Sequence, residues 1–281
     1  MTGKETSQGF LTRLWSDIIS SVLFLSRLPL TAFASAETPD FARSSYTFPL
    51  AGLLVALPAA LCLVVADAAG LPVIVTSVLV VVVMIVATGA LHEDGLADVA
   101  DGFWGGHTKE RKLEIMRDSA IGTYGTLALV LSVFLRIALI SALIGELGGL
   151  HAAMMFVAAA SLSRLAVLYV WIGLPAARAL SGASRKSSKR GKEGESLSAK
   201  YGIPTKATAM RSIVLALPVV FLSIWFAGPI AIFVAAVFSA CAIWLVKKLA
   251  ESHIGGHTGD VLGATQQMSE LGLYLGLVMA I

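Results

Sequence analysis

Apolar residues run along this chain in long blocks, and the polar stretches between them carry nearly all of its charge. A helix that crosses a bilayer needs roughly 20 predominantly apolar residues, and six blocks are read as such spans: 48–69, 72–91, 124–144, 151–174, 213–227 and 229–249. The block 262–281 is a weaker seventh. A further block, 11–33, is broken by Asp17, Arg27 and Pro29, so it reads as another span, a re-entrant segment or an interfacial helix. Short connectors at 70–71, 145–150 and Gly228 predict tight helical hairpins, while the long polar stretches 92–123, 175–212 and 250–261 alternate with them. Long and short loops therefore fall on opposite sides. The expected architecture is all-α: one integral membrane domain over residues 1–281, a bundle of about six to eight membrane helices.

Composition agrees with this pattern. The chain is 57% hydrophobic and 14% charged, with mean hydropathy +0.82, whereas soluble domains carry about 25% charged residues. No short apolar core with a small-residue cleavage site follows the polar start, so no cleaved targeting peptide is expected. Cys62 and Cys241 lie far apart in apolar runs and read as packing residues. Of the 21 Lys and Arg, Arg136 and Arg164 lie inside predicted spans, and the others fall in the N-terminal region, in the long loops or at their edges. By the positive-inside rule those segments are cytoplasmic, which predicts a multi-pass inner-membrane protein. Residues 175–208 form a basic cytoplasmic loop containing Arg185, Lys186, Lys189, Arg190 and Lys192. Anionic lipid headgroups are the ordinary partner of such a tract, and a phosphorylated substrate is the sharper alternative. No nucleic-acid-binding signature or internal repeat is present.

Chemistry concentrates at the start of the first long polar stretch, His92-Glu93-Asp94-Gly95-Leu96-Ala97-Asp98-Val99-Ala100-Asp101-Gly102. In a helix, Asp94, Asp98 and Asp101 stand at i, i+4 and i+7, on one face. Three like charges so close repel unless a cation neutralises them. Mg²⁺ suits that role because it takes oxygen from one or two carboxylates together with substrate phosphate. Gly95 and Gly102 allow a phosphate or a neighbouring helix to come close to the backbone. Arg117 lies in the following basic run, where a guanidinium can grip phosphate oxygens, although the spacing of Glu110, Lys112 and Glu114 also fits an amphipathic surface helix. Gly255-Gly256-His257-Thr258-Gly259-Asp260 lies on the same predicted side, and its glycines let backbone N–H groups turn towards an anion. Glu270 is a further carboxylate. Arg136 and Arg164 cost about 2.5 to 3.5 kcal/mol each in a bilayer, so they are expected to face a substrate pocket or to form an ion pair inside the bundle.

These segments together resemble the cobalamin synthases, or adenosylcobinamide-GDP ribazoletransferases. The resemblance rests on Phe24-Leu25-Ser26-Arg27-Leu28-Pro29, Thr47-Phe48-Pro49-Leu50-Ala51-Gly52, the 92–102 block, Glu114 to Ser119 with Gly122-Thr123, Ser163-Arg164, and Gly255 to Ala264. Two departures stand out: Glu93 replaces an apolar residue, and Gln267 replaces a glutamate. The resemblance implies that adenosylcobinamide-GDP and α-ribazole, or its 5′-phosphate, give adenosylcobalamin, or its 5′-phosphate, and GMP, with Mg²⁺ as the metal. It makes Asp94, Asp98, Asp101 and Asp260 the expected metal ligands. Asp98, Asp101 and Asp260 are the expected catalytic carboxylates, and His92, Arg117, Arg136, Arg164, Gly256 and Thr258 are expected to contact substrate. Other late cobalamin-assembly enzymes or a second copy of the chain are the expected protein partners. The aspartates alone also fit a CDP-alcohol phosphotransferase or an intramembrane prenyltransferase, and the two deep arginines fit an anion transporter.

Overall fold

Each apolar block becomes helix in the computed structural model, which describes residues 2–33, 40–180 and 197–281. In chain order the helices are α1 (Thr2–Leu25), α2 (Phe41–Ser44), α3 (Phe48–Ala68), α4 (Val73–Thr88), α5 (Leu91–Gly105), α6 (Lys109–Ile115), α7 (Thr123–Leu147), α8 (Gly149–Gly173), α9 (Ala177–Leu180), α10 (Leu197–Tyr201), α11 (Lys206–Ile254) and α12 (Gly259–Ala280). Among the described residues there is no strand, and one isolated parallel bridge joins Ala176 to His257. The cations Arg185, Lys186, Lys189, Arg190 and Lys192 of the basic loop lie outside the described residues.

Four stretches are long and apolar enough to cross a membrane: Phe41–Ala68, Thr123–Leu147, Gly149–Gly173 and Lys206–Ile254. The pair α4 and α5 makes a fifth if it is one broken span, and it bends by 88°. The predicted span 72–91 therefore stops early. Gly89 closes α4 in the left-handed region with φ 64°, and Ala90 follows with φ 56°. Its N–H reaches back to the Ile85 carbonyl at 3.0 Å, a helix-ending pattern that glycine favours. The N-terminal segment braces this corner: Arg27 N–H donates to the Ala87 carbonyl at 2.8 Å, and its side chain packs where a Cβ at Gly89 would stand. The block 11–33 is thus α-helix only to Leu25, with a single 3-10 turn at Thr31–Phe33. Its buried Asp17 is held by Arg43 at 2.9 Å and by the Tyr46 hydroxyl at 3.0 Å.

Helix α11 has 49 residues, about 73 Å at 1.5 Å per residue, which is more than twice a hydrocarbon core. It breaks at Gly228, where φ is 82° and ψ is 160°, just before Pro229. Ala209 and Ile213 before the break line the same apolar groove as Ala240 and Ile243 after it, so the two arms fold back on each other as the glycine predicts. The hairpin between α7 and α8 turns on the similar backbone of Gly148.

The weak seventh block is the centre of the bundle. Helix α12 is buried along most of its length and packs on α11, α5, α8 and α7. Its polar side chains Thr265, Gln266, Gln267, Ser269 and Glu270 are all buried, which lowers its hydropathy without making it a surface helix. Close approach to α11 needs small residues: a Cβ at Gly272 would stand 2.9 Å from the Phe238 carbonyl oxygen, and one at Gly276 would collide with Ala235. Gly276→Leu is expected to lower stability by about 1–3 kcal/mol through overpacking, seen as an earlier loss of helical circular dichroism on titration with a denaturing detergent.

Candidate active site

The 88° corner lays α5 along one end of the bundle, where it crosses α12. The contact is made by glycine: a Cβ on Gly95 would stand 2.8 Å from the Asp260 carbonyl oxygen and 3.3 Å from the Gly263 Cα. The close approach that Gly95 permits is thus with a helix. It sorts the face of α5, with His92, Glu93, Gly95, Ala97 and Val99 buried, Asp94 exposed and Asp98 half-buried. Residues almost 170 positions apart in sequence, on α5 and at the start of α12, meet there.

The electrostatics follow from that meeting. Burial, then the charge of Asp260, then those of Asp94 and Asp101, push the Asp98 carboxyl up to about 7. Burial also raises Asp260, opposed by Arg178 and by the hydrogen bond from Thr258. Arg178 Nη2 lies 3.4 Å from Asp260 Oδ2, and Thr258 Oγ1 donates to the same oxygen at 3.1 Å. Arg117 is exposed and acts electrostatically on both Asp260 and Arg178. Among the described residues, no three His, Cys, Asp or Glu side chains converge closely enough to enclose a metal by themselves. Arg178 is the residue that sequence reasoning missed: one cation a few residues beyond an apolar block looks like an ordinary span end.

Several expected site residues have other duties. Asp101 is buried, and its carboxylate accepts the backbone N–H of Gly122 at 2.7 Å and of Gly125 at 2.8 Å. It therefore caps the start of α7, and its charge faces those N–H groups. His92 is 3% exposed and faces the interior among Arg164, Glu93 and Arg136, on the opposite side of α5 from the exposed Asp94. The Gly-rich turn is a docking point in place of the expected anion nest. His257 N–H donates to the Pro175 carbonyl at 2.8 Å, Ala177 N–H donates to the His257 carbonyl at 3.0 Å, and Gly256 lacks a side chain where the 175–177 backbone passes. Thr258 is the N-cap of α12, its hydroxyl accepting from Val261 N–H at 3.2 Å.

Arg136 and Arg164 are ion-paired inside the bundle, the second of the two arrangements expected of them. Arg136 Nη1 donates to Glu93 Oε1 at 2.9 Å, and its Nε lies 3.9 Å from Glu270 Oε1. Arg164 Nη1 reaches Glu270 Oε2 at 3.2 Å and the Ala160 carbonyl at 2.6 Å. Gln266 and the Tyr274 hydroxyl also donate to Glu270. These side chains are almost fully buried, and they tie α5, α7, α8 and α12 together. The unusual Glu93 is therefore the partner of a deep arginine. Breaking a buried pair leaves an uncompensated charge, whereas replacing both partners by apolar residues is often neutral. Arg136→Leu is expected to cost about 3–5 kcal/mol, and Glu93→Leu combined with Arg136→Leu is expected to recover part of it in the same denaturing titration.

Residues 17–278 match the cobalamin-5-phosphate synthase family. Curated relatives cover nearly the whole chain. An adenosylcobinamide-GDP ribazoletransferase of Azorhizobium caulinodans is 41% identical over 272 residues, 95% of this chain and 97% of that one. The enzyme of the same name from Sinorhizobium medicae is 38% identical over 278 residues, 96% of this chain and 99% of that one. Its namesake from Brucella ovis is 36% identical over 272 residues, 95% and 98% of the two chains. No solved structure matches the chain.

Proposed function

The chain belongs to the cobalamin-5-phosphate synthase family, and from that membership we propose that it joins adenosylcobinamide-GDP to α-ribazole, or to its 5′-phosphate, releasing GMP. The observation that carries the site assignment is the crossing of α5 and α12, which brings Asp260 within electrostatic reach of Asp98, one turn along α5 from Asp94. A hydroxyl of the ribazole forms a bond to the phosphorus that bears the cobinamide, the bond from that phosphorus to the bridging oxygen breaks, and GMP leaves with that oxygen. The hydroxyl proton passes to a carboxylate or to water. Asp260 is 25% exposed at its side chain, which leaves it able to accept or orient that hydroxyl.

Mg²⁺ is the metal in this reading. The donor set suits it: carboxylate oxygens and like charges that raise Asp98, fitting an ion that also takes water and substrate phosphate among its ligands. Asp94, Asp98 and Asp260 would hold it. When bound it neutralises the charge that develops on the diphosphate as GMP departs. Arg117, exposed and acting electrostatically on Asp260, is the second cation available to those phosphates. Asp101 contributes by holding the loop before α7 against α5.

The proposed topology has six crossings, made by α3, α4, α7, α8 and the two arms of α11, with α5 and the start of α12 at the cytoplasmic face of the inner membrane. Helix α12 completes the bundle from within. This reading absorbs the alternating loop lengths and the skewed Lys and Arg.

Purified protein in detergent, given adenosylcobinamide-GDP, α-ribazole and Mg²⁺, is expected to release GMP together with a nucleotide-loop corrinoid. Absence of product with every divalent metal contradicts the proposal. Asp98→Ala is expected to remove turnover while leaving the circular dichroism unchanged, and a near-normal rate would take Asp98 out of the site. Protons compete with the cation for Asp98, because its carboxyl must be ionised to bind. The Mg²⁺ concentration for half-maximal rate is therefore expected to rise by about tenfold per pH unit below about 7 and to level off above it.

A further inference from the structure

Arg178 is placed by backbone hydrogen bonds that do not involve its side chain. The 175–177 segment is stitched to the Gly-rich turn through His257, which brings Arg178 beside Asp260. Its contact with Asp260 is loose, 3.4 Å between partly exposed groups, 18% and 25% at the two side chains. The buried pair of Arg136 and Glu93 is closer, at 2.9 Å, with both side chains within 6% of full burial. Asp98 and Arg117 also act on Arg178, so two guanidinium groups border three carboxylates.

The charges suggest an order of events. Fully ionised, Asp94, Asp98 and Asp260, with Asp101 behind them, outweigh Arg117 and Arg178 by two negative charges, so the site attracts a cation and repels a diphosphate. One divalent cation cancels that excess. It also takes over the neutralisation of Asp260, and the planar fork of an arginine matches phosphate oxygens.

We propose that Arg178 is the resting counter-ion of Asp260 and, once a divalent cation takes that carboxylate, grips the diphosphate of the nucleotide-linked substrate. The inference rests on the transferase reading above. It makes Arg178 a substrate-binding residue whose removal helps the metal and harms the substrate.

The test uses full-length protein in detergent, wild type beside Arg178→Ala and Arg178→Lys, with two readouts. Mn²⁺ binding without substrate is followed by electron paramagnetic resonance, and steady-state KM values are measured for adenosylcobinamide-GDP and α-ribazole. Arg178→Ala is expected to bind Mn²⁺ more tightly, because the competing internal cation is gone. Its KM for adenosylcobinamide-GDP is expected to rise by about tenfold or more, the scale of one lost hydrogen bond to a charged group, with the KM for α-ribazole little changed. Arg178→Lys keeps the charge without the fork, so its Mn²⁺ affinity stays near wild type while the KM for adenosylcobinamide-GDP still rises. Where the alanine variant does not fold, the lysine variant decides the question on those two values. Weaker Mn²⁺ binding in Arg178→Ala, or an unchanged KM for adenosylcobinamide-GDP in either variant, overturns the inference. Failure of the wild type to release GMP would instead sink the transferase reading itself.

Discussion

The approach of α5 to α12 at Gly95 and Gly263 is the constraint on which the site depends. Any side chain at Gly95 meets the Asp260 backbone, so the distance between the helices is set by the absence of a Cβ. That distance brings carboxylates from two remote segments into one electrostatic unit and raises Asp98 to about 7. The 88° corner at Gly89 and Ala90 makes the approach possible by turning α5 out of the direction of α4. The segment around Arg27 holds the corner from outside, which gives the Phe24 to Pro29 motif a mechanical purpose.

Charge in this protein is handled in two different ways. Inside the bundle, Arg136 and Arg164 are matched by Glu93 and Glu270 and bonded at short range, because a lone buried charge is costly to solvate. At the end of the bundle, Asp94, Asp98 and Asp260 stay close without full compensation, and Arg178 and Arg117 lie beside them. The first group joins four helices beneath the second. Glu93 is buried and the adjacent Asp94 is exposed, so one turn of α5 belongs to both systems.

Much of this was readable from residue pattern. Apolar blocks identified the helices, Gly228 and the 145–150 connector identified hairpins, and the i, i+4, i+7 spacing identified an acidic helix. The pattern was blind where backbone geometry or a distant partner decides the outcome. An alanine in the left-handed region at position 90 carries no sequence signal, so the predicted span ran on to residue 91. Asp101 shares its spacing with Asp94 and Asp98, yet the Gly122 and Gly125 N–H groups claim it. Polar residues in α12 suggested a weak span, although Gln266, Ser269 and Glu270 find partners on α7, α8 and α11. His92 and Gly256 looked like site residues because they border the aspartates in sequence, whereas His92 faces the buried arginines and Gly256 the 175–177 backbone; Thr258 caps α12 and also hydrogen-bonds Asp260. Arg178 is the reverse case, ordinary in sequence and adjacent to Asp260 in space.

The central claim is that α5 and α12 build one cation site between them. Its most direct test is a density map of the protein frozen with Mn²⁺ and a non-hydrolysable nucleoside diphosphate ester. An ion is expected between Asp98 and Asp260, with Asp94 on the same side and Asp101 still bonded to Gly122 and Gly125. An ion bound elsewhere, or α5 and α12 separated so that Asp98 and Asp260 serve different sites, would contradict it.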